Sequence, residues 1–256
     1  MKRKFTFLGT GTSQGIPVIG CHCDVCQSAN PKNKRLRVAG LISYGAHRVV
    51  IDAGPDFRQQ MLAQKVDTLD AILLTHEHND HIIGLDDIRP FYFIQKADIP
   101  VYGLARVLAE VKERFSYFFA EKPYPGVPRI AMHTITKEDA FFIGSLAIQP
   151  IEVMHGLMPI IGYRFDDLVY ITDAKYISEE ETKKIIGCKT LIINALHHRE
   201  HHSHFNLEEA LAFVEKVKPD MAWLTHMSHI MGDHDEINKQ LPQNVGLAFD
   251  GLSIEF

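Results

Sequence analysis

The sequence predicts an α+β chain, one domain over residues 1–256, made of two similar halves in which strands are followed by helices. Three observations carry this. Short apolar runs of strand length recur along the chain, and several end on a histidine or an aspartate. One longer stretch, Leu104–Phe119, keeps its apolar residues on one helical face. No linker, low-complexity tract or short repeat divides the chain. With 256 residues, 46% of them hydrophobic, it can bury a large core.

The elements follow in order. After the basic start Met1-Lys2-Arg3, Lys4–Leu8 alternates as a first strand and runs into the glycine-rich turn Gly9–Gly15. No Gly-Lys-Ser/Thr follows, so this is not a P-loop, although its amides can approach an anion. Asn30–Arg37 is polar and basic and reads as a loop. Leu41–Tyr44 and Val49–Ile51 form a hairpin around Gly45-Ala46-His47, and the second strand ends at Asp52-Ala53-Gly54. Asp56–Gln64 reads as a helix with Phe57, Met61 and Leu62 inward. Ala71–Leu74 is a buried strand, and Ile82–Ile88 a helix stopped by Pro90. Ile99–Tyr102 is a strand. Leu104–Phe119 is the clearest amphipathic helix, with Leu104, Val107, Leu108, Val111, Phe115 and Phe118 on one face. Pro123, Pro125, Gly126 and Pro128 force an irregular loop, a connector or a lid over Phe118–Pro128.

In the second half, Phe141–Ile143, Leu146–Ile151, Ile160–Phe165 and Leu168–Ile171 read as successive strands. Ser178–Ile186 is a helix with a capping box from Ser178 to Glu181. Leu191–Asn194 and Met221–Leu224 are buried strands. Asn206–Val217 is a helix capped by Asn206 and Glu209, and Asp235–Leu241 is a short helix before two terminal strands.

The chemistry concentrates in Thr75-His76-Glu77-His78-Asn79-Asp80-His81, directly after the strand Ala71–Leu74. Imidazole and carboxylate together suit zinc, manganese or iron. His76 and His78 point one way in an extended segment, and Asp80 and His81 another, so two metals are expected. A dinuclear site needs more ligands at strand ends downstream, and His155, Asp173 and His226 each follow an apolar strand. Separately, Cys21, Cys23 and Cys26 place three thiols within six residues. No export signal precedes them, so metal binding is the better reading, with a fourth ligand from elsewhere. Cys188 reads as a packed core thiol.

His76-x-His78-x-Asp80-His81, followed by His155, Asp173 and His226, resembles the metallo-β-lactamase superfamily over nearly the whole chain. The resemblance implies an αββα sandwich of two packed sheets. It implies that His76, His78 and His155 bind one divalent metal (zinc, manganese or iron) and Asp80, His81 and His226 a second, with Asp173 bridging and a hydroxide between the metals as nucleophile. Gly9-Thr10-Gly11 resembles the phosphodiesterase branch. Gly15-x-Pro17-x-x-Gly20-Cys21-x-Cys23-x-x-Cys26 is similar to the phosphoribosyl 1,2-cyclic phosphate phosphodiesterase (PhnP-type) family. That likeness implies one structural zinc on Cys21, Cys23, Cys26 and His229. It also implies that His204 is the proton donor, with Asp80 and His204 the catalytic pair. Spacing alone does not select His204 among His197, His198, His201 and His202, most of which read as solvated surface residues.

The expected activity is therefore hydrolysis of a small cyclic or diester phosphate. The rivals are a nuclease or transfer-RNA-processing hydrolase, a lactone or thioester hydrolase, and a non-catalytic binding protein on the same fold. The net charge of −5 and the lack of a long Lys/Arg-rich insertion speak against nucleic acid as partner. The full ligand set speaks against a non-catalytic protein. No stretch of eighteen apolar residues exists to cross a membrane. A cytoplasmic protein is expected, with a small phosphate ester as partner and a homodimer allowed.

Overall fold

Strand-length apolar runs pair into two seven-stranded sheets in the computed structural model, which describes residues 3–122 and 124–256. Met1 and Lys2, ahead of the first strand, and Pro123 of the proline-rich loop lie outside the described residues. The first sheet holds β1 (Arg3–Gly9), β2 (Ala39–Tyr44), β3 (His47–Ile51), β4 (Ala71–Leu73), β5 (Ile99–Gly103) and β6 (Ile130–Thr134), side by side in sequence order. The second holds β7 (Phe141–Ile143), β8 (Leu146–His155), β9 (Met158–Phe165), β10 (Leu168–Tyr170), β11 (Thr190–Asn194), β12 (Met221–Thr225) and β13 (Val245–Leu247). The last strand, β14 (Ser253–Glu255), returns to the first sheet beside β1. Strands β3 to β6 run parallel, as do β10 to β13.

The helices are α1 (Asp24–Gln27), α2 (Phe57–Gln64), α3 (Asn79–Ile82), α4 (Arg89–Gln95), α5 (Ala105–Arg114), α6 (Glu179–Ile185), α7 (Leu207–Val217) and α8 (His234–Asn238). Three apolar layers hold the sandwich. Between the sheets, Phe5, Phe7, Ile51 and Leu73 meet Leu146, Ile148, Tyr163 and Tyr170. Outside the first sheet, Val50, Ile72 and Val101 pack on Phe57, Phe91, Val107 and Val111. Outside the second, Val169, Leu191 and Ile193 pack on Ile185, Ala210 and Phe213. Val49 and Ile51 thus face one core and Val50 the other, which is why these strands read as unbroken apolar runs. This is the αββα arrangement expected.

Several elements differ from expectation for identifiable reasons. Pro90 does not stop a helix. It sits in the first turn of α4, where its missing N–H costs nothing, and Ile83–Ile88 is a 3₁₀ segment. The expected helix over Leu104–Phe119 ends at Arg114, and a 3₁₀ turn at Ser116–Phe119 continues the apolar face with Phe115 and Phe118 still buried. Leu62, expected inward, is 61% exposed, and Gln60 is buried instead, donating to the Arg37 carbonyl. β6 was not expected from the sequence at all. Ser178 caps α6 by accepting from the Glu181 amide, but the Glu181 carboxylate turns away to accept from the Glu152 amide, so only half of that capping box forms. Asn206 and Glu209 complete theirs. Among the described residues, no helix is long and apolar enough to cross a membrane.

The basic loop before β2 hides a buried cation. Arg35 is 4% exposed and donates to Thr10 Oγ1 and the Ala248 carbonyl, both at 2.6 Å, and to His234 Nδ1 at 3.0 Å. Burial, then the Arg35 and Lys32 charges, push His234 down to about 4, although Asp235 and Asp233 pull the other way. A histidine whose folded pKa is depressed stabilises above its unfolded pKa, and that stability is lost as pH falls from about 6.5 towards about 4. Between pH 7 and pH 5 the wild-type chain should therefore lose about 2 kcal/mol more than His234→Gln, whose amide oxygen can still accept from Arg35. Urea unfolding at the two pH values checks this, and equal losses would rule it out.

Candidate metal centre

The carboxyl ends of β3, β4, β8, β10 and β12 meet along one edge of the sandwich and deliver Asp52, His76, His155, Asp173 and His226. His155 is the last residue of β8 rather than the residue after it. Asp52, Asp173 and His226 have φ of 63°, 59° and 58°, in the left-handed region that costs a non-glycine residue about 1 kcal/mol. The sharp turn swings each side chain back over the strand end. Such outliers cluster where a site over-determines them.

All seven residues expected at the centre come together. The ligand atoms of His76, His78 and His155 lie within 4.8 Å of one another, as do those of Asp80, His81 and His226. Asp173 has Oδ1 3.0 Å from His226 Nε2 and Oδ2 3.5 Å from His81 Nε2, and its carboxylate also lies within 4.8 Å of ligand atoms of His76 and of His155, one from each sheet's side of the cluster. Asp80 Oδ2 is 3.3 Å from His81 Nε2. The donor set fits metal ions, because the imidazoles are fixed from behind. His81 Nδ1 donates to Asp52 Oδ2 at 2.7 Å and His155 Nδ1 to the Ser203 carbonyl at 2.9 Å. His76 Nδ1 lies 3.0 Å from Thr75 Oγ1, which itself donates to Asp52 Oδ2. That leaves Nε2 of His76 and His81 buried, facing the centre, with no hydrogen-bond partner. Groups of this chemistry can hold divalent metals such as zinc.

The electrostatics point the same way. Burial works against a charge on His81, but Asp52, Asp173 and Asp80 outweigh it and hold a proton there well above the usual histidine range. Burial likewise opposes the Asp173 carboxylate, yet His226 and His81 keep it well below the usual carboxylate range. The site is built to attract cations. His76, flanked by other imidazoles, is pushed well down by burial and then by His81, so it remains a neutral ligand type.

Asp52, Thr75 and Ser203 were missed by sequence reasoning. Asp52 carries the same signal as Asp173, a carboxylate directly after an apolar strand, but nothing in the chain marks its partner as His81.

His204 stands at the rim of the centre. Its Nδ1 is 3.7 Å from Asp173 Oδ1, and its ring lies 4.8 Å from that of His226 and 4.6 Å from that of His155. Of the other loop histidines, His198 and His202 are exposed as expected. His197 is buried, with Nδ1 accepting from the Arg199 amide, because the loop folds back under itself. His198 donates from Nε2 to the Met231 carbonyl, and the His201 ring lies 5.1 Å from that of His204.

Apart from this centre, Cys21, Cys23, Cys26 and His229 bring four ligand atoms within 4.8 Å. His229 Nδ1 is 3.3 Å from both Cys21 Sγ and Cys23 Sγ. His229 lowers the Cys23 thiol to about 6, while burial raises Cys26 to about 11. Cys188 is buried in the second-sheet core, as expected.

A family model described as the beta-lactamase superfamily domain matches residues 47–227. A solved structure described as a new diphosphatase from the PhnP family is 38% identical, with a TM-score of 0.94, covering 100% of this chain and 98% of that one. An octanoyltransferase of Porphyromonas gingivalis is 40% identical over 247 residues, 96% of this chain and 50% of its own. A ribonuclease Z of Clostridium tetani is 27% identical over 152 residues, 53% of this chain and 46% of its own. The chain thus spans about half the length of these two curated relatives.

Asp52→Asn keeps the shape beneath His81 but removes the charge that orients it. Metal affinity should fall by about 10–100-fold with the fold retained. Chelator competition on the purified protein checks this, and unchanged affinity would show Asp52 to be a packing residue only.

Proposed function

Because the chain belongs to the beta-lactamase superfamily and resembles the PhnP family within it, we propose that this metal-dependent hydrolase cleaves a small cyclic or diester phosphate at a dinuclear centre. The observation that carries the reading is His204, a buried imidazole beside the seven expected ligands, whose Nδ1 faces Asp173 with no hydrogen-bond partner. A hydrolase expelling a poor leaving group, such as an alkoxide, needs a proton donor at such a place.

In this reading His76, His78 and His155 would hold one metal and Asp80, His81 and His226 the other, with Asp173 available to both. When bound, two such ions supply Lewis acidity and a water of lowered pKa. The chain does the rest. Burial opposes the Asp80 carboxylate, but His81 holds it down to about 2, so it stays ionised as a ligand. Asp52, Thr75 and Ser203 keep the imidazoles aimed inward. Burial, then His226, hold His204 down to about 2 in the chain alone, with Asp173 pulling the other way. The negative charge of a phosphodiester arriving beside it favours the imidazolium, so substrate binding itself arms the acid. His204 then passes its proton to the departing sugar oxygen.

The PhnP-family relative is a diphosphatase, so a diphosphate linkage belongs to the same proposal. A nuclease reading draws on the ribonuclease Z likeness, but a net charge of −5 does not favour a polyanion. The octanoyltransferase likeness covers only half of that protein. Four free cysteines suit a reducing compartment such as the cytoplasm.

We place a structural zinc on Cys21, Cys23, Cys26 and His229. Cys23→Ser should remove one metal per chain and lower the melting temperature, while the surviving folded fraction keeps its turnover number. Elemental analysis beside thermal unfolding checks it, and unchanged metal content would remove the zinc. For His204, the test is leaving-group dependence. His204→Ala should cut turnover of a cyclic ribose phosphate by about 10²–10⁴-fold and affect bis-nitrophenyl phosphate far less, since nitrophenolate needs no proton. Equal loss on both substrates, or loss of a metal, would withdraw the general-acid role.

A further inference from the structure

The ligands His76 and His78 belong to the first sheet and His155 to the second, so one metal would be held by side chains from two separate layers. Main-chain hydrogen bonding between them includes Ile161 N to the Thr75 carbonyl at 3.1 Å. One side chain reaches both ligand-bearing segments. Arg106, in the first turn of α5, donates from one terminal nitrogen to the Glu77 carboxylate and from the other to the Pro159 carbonyl. Glu77 lies between His76 and His78. Pro159 on β9 pairs with Met154, the residue before His155 on β8. The contacts of Arg106 therefore flank all three histidines.

We propose that Arg106 is a positioning residue that locks the His76–His78 loop to the His155 hairpin and so sets the affinity of the metal held by those three histidines. The inference rests on the ligand assignment proposed above. A guanidinium suits this task because its rigid planar fork carries two directed bonds at a fixed angle, which an ammonium cannot reproduce. The pair has little else to hold: Glu77 Oε2 and Arg106 Nε are buried without other partners. The same helix grips the loop a second time. Arg114, two turns further on, donates to Asn79 Oδ1 and to Glu110 Oε1 on the intervening turn. The two positions that are not metal ligands, Glu77 and Asn79, are thus both anchored on α5.

The test uses the metal-loaded protein dialysed against graded chelator, with retained metal counted by mass spectrometry. Arg106→Ala should weaken one metal at the centre by about 10–100-fold and leave the second, and the metal on the cysteines, unchanged. Arg106→Lys, which keeps the charge and one contact, should fall between wild type and alanine. It also serves if the alanine variant folds poorly. Glu77→Gln, which keeps an acceptor, should lose less than Arg106→Ala. In a His78→Ala background, where the first metal is already gone, adding Arg106→Ala should change no remaining affinity. Wild-type affinity for every metal with a raised KM would make Arg106 a substrate contact and overturn the proposal. Uniform weakening of all metals with a lowered melting temperature would make it a general structural residue and overturn it too. If His78→Ala alone releases no metal, the ligand assignment itself fails, and the proposal fails with it.

Discussion

Three carboxylates, Asp52, Asp80 and Asp173, converge on one fully buried imidazole, His81. Like charges so close in a low-dielectric place repel strongly unless cations join them. The rest of the site answers that constraint. His226 and His76 crowd the same point, His81 is pulled towards its charged form, and the free Nε2 atoms face inward. The centre is therefore not a set of ligands placed on an indifferent scaffold. Its own electrostatics call for positive charge, and the fold must be rigid enough to hold it in the absence of any.

That rigidity comes from the sandwich. Parallel strands buried on both faces cannot slip register without turning apolar side chains into the wrong layer. Their ends are thus fixed points, and Asp52, His155, Asp173 and His226 stand at them. The left-handed turns at Asp52, Asp173 and His226 are strained conformations that the sheets on either side can sustain. The helices finish the work from outside, with α5 holding the loop that the strands present.

Much of this was legible in the chain. The double-sided strands announce themselves as unbroken apolar runs, and a histidine or aspartate after such a run is conspicuous, as at His155, Asp173 and His226. What the sequence hid were relations rather than residues. Asp52 matters because of His81, 29 positions later, and no local pattern links them. β6 is a half-exposed edge strand with Met132 and His133 outward, so it lacks the apolar signal. The end of α5 escaped because Phe115 and Phe118 continue its apolar face through a 3₁₀ turn, and periodicity alone cannot see the change. Pro90 was ambiguous in principle, since proline ends one helix as readily as it begins the next. Arg35 looked like part of a polar loop because its burial depends on the Ala248 carbonyl and on His234, far along the chain.

The stitching between the chain's two ends has a consequence for how the molecule comes to exist. Thr10 bonds Asp250 across 240 positions, Leu36 bonds Asp250 across 214, and Asn33 bonds Asp233 across 200. Contacts of such long range slow folding, because the intervening chain must be ordered before they form. During synthesis the first sheet emerges early but waits for β14 at one edge and for the second sheet on its inner face. At about 5–20 residues per second, roughly 8–30 s pass between the appearance of His76 and that of His226. Through that interval the histidine-rich loop is made but unenclosed. The order of emergence thus leaves this cluster unfinished until the last strands of the second sheet are in place.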